Sequence, residues 1–231
     1  VVVFRPYFVE YRSYASNFHA QIVEVDPQLP SFQPDLEDFA RKVDARTKAV
    51  IINNPVNPSG VVYSEETLRC IAQILEEKQK LYGHEIYLIS DEPYREIAYD
   101  GVEIPYVTKF YANTFVAYSF SKTLSIPGLE EKCDIAFYDN NRKLLWGGLT
   151  ELGFECVKPE GTFYLFVKSP EPDEHNFVAR AKAHNLILVA GSTFAMPGYV
   201  RIAYCVSPDV IKRSMPHFAD LAAEYGLKNG I

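Results

Sequence analysis

The chain has 231 residues, 48% of them hydrophobic, which is enough to bury a sizeable core in one large or two small domains and excludes a disordered chain. Its 23 basic and 30 acidic residues give a net charge of -7 with no basic stripe, which argues against nucleic acid as a partner. The opening VVVF is too short for a secretory apolar core, and no apolar run approaches the roughly 20 residues that cross a bilayer, so no membrane partner is expected.

Short apolar runs at residues 1–4, 21–25, 49–53, 85–90 and 114–119 read as buried strands. Between the third and fourth of them, Ser64 is an N-cap for a helix. Glu65 and Glu66 sit near its positive end, and Leu68, Ile71, Ala72 and Leu75 fall on one face. Residues 49–90 thus form a strand–helix–strand unit. Strands alternating with crossover helices predict a mostly parallel sheet covered on both faces, with ligands at the carboxyl ends of its strands.

The pattern changes after residue 129. A helical stretch over 134–152 precedes a strand at 161–168 and a helix at 177–184, with residues 169–174 as an ordinary connection. Strands at 186–190 and 200–206 and a final helix from Pro208 complete a smaller α+β unit. The domain expectation is therefore residues 1–129 and residues 130–231. Cys70, Cys133, Cys156 and Cys205 lie far apart with no CxxC spacing. That spacing fits buried thiols in the reducing cytoplasm better than a disulfide frame or a zinc site.

Three strand ends carry polar motifs: NNPVNPSG over 53–60, SDEPY over 90–94 and SFSKTLSIPGL over 119–129. Taken singly, Lys122 reads as an exposed loop lysine, Asp91 as a cap or turn acid and Tyr94 as a packing aromatic. Asn57 reads as a turn former between Pro55, Pro58 and Gly60, Ser119 and Ser121 as turn or cap residues, and Phe8 as a core aromatic. Arg201, inside the apolar run of PGYVRIAYC, needs an anion, which either a structural salt bridge or a ligand would supply.

In order, spacing and flanking strands, these motifs resemble the fold-type I, pyridoxal-phosphate-dependent aminotransferases of class I/II. The resemblance implies an α/β fold: a large, mostly parallel-sheet, cofactor-binding domain over 1–129 and a smaller α+β C-terminal domain over 130–231. It implies a pyridoxal 5'-phosphate cofactor held as a Schiff base on Lys122, the ring nitrogen facing Asp91, and Asn57 and Tyr94 bonding the phenolic oxygen. Phe8 would stack on the ring, Ser119 and Ser121 would serve the phosphate, and Arg201 would clamp the substrate carboxylate with Asn57 close by. An amino group would then pass between an amino acid and a 2-oxo acid in a cytoplasmic homodimer with no metal. A carbon–sulfur β-lyase shares the same first proton abstraction and is the alternative reaction, and a non-catalytic aminotransferase-like binding domain is the alternative from another class.

The resemblance is interrupted twice. The family's first part, with its glycine-containing phosphate loop and an aromatic that reaches across the dimer, has no counterpart before Val1, and Glu130 stands where IPGL should lead to a phosphate-gripping arginine. The large domain is therefore expected to be incomplete, with an internal segment missing after Leu129 and an exposed sheet edge.

Overall fold

A computed structural model describes residues 1–122 and 134–227. The first half is built on a five-stranded sheet in the order β2-β1-β5-β6-β7, formed by Val23–Val25, Val2–Phe4, Ala49–Asn53, Tyr87–Asp91 and Thr114–Ala117. Every pairing in it is parallel. The central strands carry valine, isoleucine and leucine on both faces, as a sheet covered on two sides requires. Val2, Val3, Val50, Ile52 and Leu88 are all buried.

The crossover helix α3 (Glu65–Tyr82) joins β5 to β6. It starts where the sequence says it should: the Ser64 side chain accepts from the Thr67 amide at 3.0 Å, and Glu65 and Glu66 occupy the first turn. It ends at Gly83, whose left-handed φ of 69° is a conformation glycine adopts without a Cβ penalty. Leu68, Ile71, Ala72 and Leu75 form the buried stripe against the sheet, and burial of each large aliphatic among them stabilises the fold by about 1.5–3 kcal/mol.

Four elements of this half were not expected. Helix α1 (Glu10–Asn17) buries only Tyr11 and Ala15 and has no side-chain cap, so it shows no apolar stripe. Helix α2 (Leu36–Lys42) is capped by Asp35 but is only seven residues long. Pro27–Gln28 (β3) and Gln33–Pro34 (β4) pair as a two-residue ribbon too short to leave an alternating pattern.

In the second half, helix α4 (Ile135–Glu151) is capped by Asp134, and β8 (Tyr164–Lys168), β10 (Tyr199–Ala203) and β9 (Val189–Ala190) form an antiparallel sheet in that order. Helices α5 (Glu174–Ala183) and α6 (Pro208–Glu224) complete it. Helix α5 starts earlier than the apolar pattern indicated, because the Asp173 side chain caps it by accepting from His175. Glu174 therefore belongs to the helix, not to the preceding connection. Residues 186–188 pack into the core as coil: Leu186 and Leu188 are buried there without entering the strand.

Two large hydrophobic clusters follow the two halves, with exchange between them. Phe166, Phe194 and Met196 join the first, while Tyr94, Ile97 and Tyr99 join the second. Arg142 on α4, 1% exposed, fastens this exchange: it grips Asp100 through two nitrogens at 2.9 and 3.0 Å, bonds Asp139, and donates to the Pro159 carbonyl at 2.8 Å. A buried guanidinium is tolerated when its donors are satisfied in this way. At the other end of the first sheet, Phe115, Val116, Tyr118 and Phe120 are exposed on and just after β7, as expected of an open edge. Cys70 and Cys156 are half-buried and Cys205 is exposed, so these three free thiols are not the buried set expected, and Cys133 lies outside the described residues.

The loop after β5 is sealed against residues 159–161. Glu160 and Gly161 both donate to the Gly60 carbonyl, at 2.8 and 2.9 Å. A Cβ on Gly161 would stand 2.5 Å from Pro55 Cγ and 2.8 Å from the Ile97 carbonyl oxygen, so only glycine allows this approach. Gly161→Ala should destabilise the protein by about 1–3 kcal/mol, the usual cost of overpacking. Thermal denaturation should show Tm falling by at least about 2 °C, and an unchanged Tm would mean the contact is not tight.

Candidate active site

The parallel register sets the site. Asn53 at the end of β5 pairs with Asp91 at the end of β6, and Asp91 with Ala117 at the end of β7. Three carboxyl ends are therefore level, and the polar motifs that follow them leave the sheet on one side. Strand β10 brings Arg201 to the same place from the second half.

A chain of hydrogen bonds joins these parts. Arg201 Nη1 donates to Asn57 Oδ1 at 3.0 Å. The Asn57 amide donates to Asn53 Oδ1 at 2.7 Å, and Asn53 Nδ2 donates to the Asp91 carbonyl oxygen at 2.8 Å. Asn57 is 3% exposed, so these hydrogen bonds are made away from water. Arginine occupies its oxygen, which leaves its amide NH2 without a partner among the described residues.

Arg201 forms no ion pair among the described residues, which removes a salt bridge there as the reason for its place in a strand. Its guanidinium lies 4.2 Å from the Tyr164 ring centre and 4.5 Å from that of Phe194. Its Nε is buried without a hydrogen-bond partner, and burial lowers its pKa. A cation so incompletely satisfied favours an anionic ligand.

Asp91 presents the complementary need. Burial raises its pKa, the Tyr11 hydroxyl that donates to its Oδ2 lowers it, and the Glu92 charge raises it again. The Tyr94 ring is buried edge-on to Phe163 and Tyr164, and burial, with the Tyr164 hydroxyl beside it, pushes its phenol well up. That phenol stays a donor at neutral pH. Phe8 is half-buried, with its ring edge-on to Tyr11 at 5.8 Å.

Ser119 and Ser121 are exposed and bonded to one another, Oγ to Oγ, at 2.9 Å. Lys122 is half-buried beside them, and its charge, with that of Arg201, reaches the Cys205 thiol. Glu130 lies outside the described residues. Sequence reasoning named Phe8, Asn57, Asp91, Tyr94, Ser119, Ser121, Lys122 and Arg201 and passed over Tyr11, Asn53, Glu10 and Tyr164. Asn53 opens the NNPVNPSG motif, so its place at a strand end was the available signal. Tyr11 had none, because α1 itself was not recognised.

A parallel sheet whose carboxyl ends carry Asp91 and lead on to Lys122, with Arg201 brought in from the antiparallel second sheet, is the arrangement of an α/β enzyme of the transferase type. The model of the family "Aminotransferase class I and II" matches residues 1–129 and 134–217, and the chain belongs to that family. The aspartate/prephenate aminotransferase of Thermus thermophilus is 28% identical over 269 aligned positions, covering 95% of this chain and 68% of that protein. The aspartate aminotransferase of Bacillus subtilis is 26% identical over 93% of this chain and 68% of its own length. A crystal structure of an aminotransferase from Eubacterium rectale superposes with a TM-score of 0.93 at 39% identity, covering 97% of this chain and 68% of that one. The family match breaks just after Leu129, and 95% of 231 residues is about 219, so about 50 of the 269 Thermus positions have no counterpart here. The break in the family match falls where the sequence leads one to expect an interruption.

The family depends on pyridoxal phosphate, and the residues fit it. Asp91 offers a carboxylate that a ring N–H cation would stabilise, Asn57 offers a spare amide NH2, and the orphaned Nε of Arg201 awaits an anion. The Ser119 and Ser121 hydroxyls are donors of the kind a phosphate would use.

Because its folded pKa is raised, Asp91 contributes stability that is fully present below the unfolded value and lost as pH rises through the folded one. Tyr11→Phe removes the bond that lowers this pKa, so the titration of the Asp91 carboxyl followed by carbon NMR should move to higher pH. An unmoved or lower midpoint would show that the hydroxyl does not set the charge of Asp91.

Proposed function

We propose that this aminotransferase divides its chemistry among the residues gathered at the strand ends, in a large cofactor-binding domain over 1–129 and a small domain over 130–231. The hydrogen-bond chain from Arg201 through Asn57 and Asn53 to Asp91 supports this most directly, because it holds a cation-seeking acid and an anion-seeking arginine in one rigid frame. Pyridoxal phosphate, when bound, supplies the electron sink that makes an amino acid's Cα proton removable.

Asp91 would stabilise the protonated ring nitrogen, with Tyr11 keeping the carboxyl oriented and ionised. Asn57 and Tyr94 would donate to the phenolic oxygen, Phe8 would cover a ring face, and Ser119 and Ser121 would donate to the phosphate. Arg201 would grip the substrate α-carboxylate, orienting the Cα–H bond for cleavage. Lys122 would hold the cofactor covalently at rest and then, as a free amine, take the proton from Cα. The amino group would pass from an amino acid to a 2-oxo acid in two half-reactions.

We further propose a cytoplasmic homodimer. Free thiols at Cys70, Cys156 and Cys205 support the reducing compartment, and the family resemblance supports the dimer. No helix among the described residues is long and apolar enough to cross a membrane.

Borohydride treatment of the protein with pyridoxal phosphate, followed by peptide mapping, should fix the cofactor on the peptide carrying Lys122. Lys122→Ala should abolish both labelling and transamination while circular dichroism stays native, and turnover retained in that variant would refute the assignment. Arg201→Lys replaces a forked donor with a point charge and should lower kcat/KM for amino acids by at least about tenfold. An unchanged kcat/KM would remove Arg201 from carboxylate binding.

A further inference from the structure

Glu10 is a charged group of this site to which the roles above assign nothing. It opens α1, two residues after Phe8 and immediately before Tyr11, the residue that holds Asp91. Its Oε2 is buried and accepts no hydrogen bond from any described residue. The Glu10 charge favours the Arg201 cation, yet no ion pair joins the two among the described residues, and the Arg201 Nε is itself buried without a partner. A carboxylate oxygen kept from water without a donor is costly, and a ligand that supplies a donor removes that cost.

We propose that Glu10 is a specificity residue of the substrate pocket: it accepts from a hydrogen-bond donor or cation on the side chain of the amino acid and repels a second carboxylate. This rests on Arg201 gripping the α-carboxylate, which leaves the substrate's other end to meet Glu10. An acidic side chain would then bring a second carboxylate up to the buried Oε2 of Glu10, a repulsion that can choose between substrates.

The test is calorimetric binding of three unreactive carboxylates to the pyridoxal-phosphate-loaded protein: 4-guanidinobutanoate, glutarate and butanoate, which differ in the charge at the far end. The native protein should bind 4-guanidinobutanoate at least about tenfold more tightly than glutarate, and Glu10→Gln should bring that ratio to within about threefold. Arg201→Lys should weaken all three. Glutarate bound as tightly as the guanidino compound by the native protein, or a preference that survives Glu10→Gln, overturns the role of Glu10. Because the first comparison uses the native protein, it holds even if the variant folds poorly. Butanoate binding untouched by Arg201→Lys overturns the carboxylate clamp and this inference with it, whereas carboxylates held by Arg201 with no charge preference overturn the Glu10 assignment alone.

Discussion

Arg201 and Asp91 are held in one frame by two asparagines, and the arrangement of the site depends on that bridge. Asn53 spends its side chain on both neighbours, donating to the Asp91 backbone and accepting from the Asn57 amide, while Asn57 accepts from Arg201. Neither charged group is neutralised by the bridge: the arginine keeps an unpartnered Nε, and the acid stays under the pressure of burial. A folded chain tolerates such unmet needs where a ligand meets them, and here the needs are of opposite sign at the two ends of one network.

That frame is rigid because its parts lie on regular structure. Asn53 and Asp91 are opposite one another in a parallel register that a one-residue slip would break across the whole buried sheet. Arg201 is in the middle strand of the second sheet, opposite Phe166 and Val189. The loop carrying Asn57 is pressed onto residues 159–161 through Gly60 and Gly161, so the two halves meet where the site needs them to meet. Arg142 secures the same junction from the far side with a fully paired guanidinium, a useful contrast to Arg201: one buried arginine is satisfied and structural, the other unsatisfied and available.

Much of this was legible in the residues. Strands β5, β6 and β7 and helix α3 follow from uninterrupted apolar runs and a capped amphipathic stripe, and the chemistry-bearing residues stand just after those strands, where α/β sheets bind ligands. What escaped was local and small. Helices α1 and α2 have seven or eight residues and no clean apolar face, so Tyr11 could not be placed against Asp91. The Arg201–Asn57 contact spans 144 residues of sequence, and no spacing encodes it. The exposed side chains along β7 agree with the missing internal segment that the family comparison also marks.

The most direct test of this account is a crystal structure of the pyridoxal-phosphate-loaded protein with a 2-methyl amino acid, which lacks the Cα proton and so stays bound. The account requires the ligand carboxylate on the Arg201 guanidinium, the ring nitrogen within hydrogen-bond distance of Asp91, and the Lys122 amine facing Cα. A carboxylate seated away from Arg201, or a ring nitrogen turned from Asp91, would contradict it.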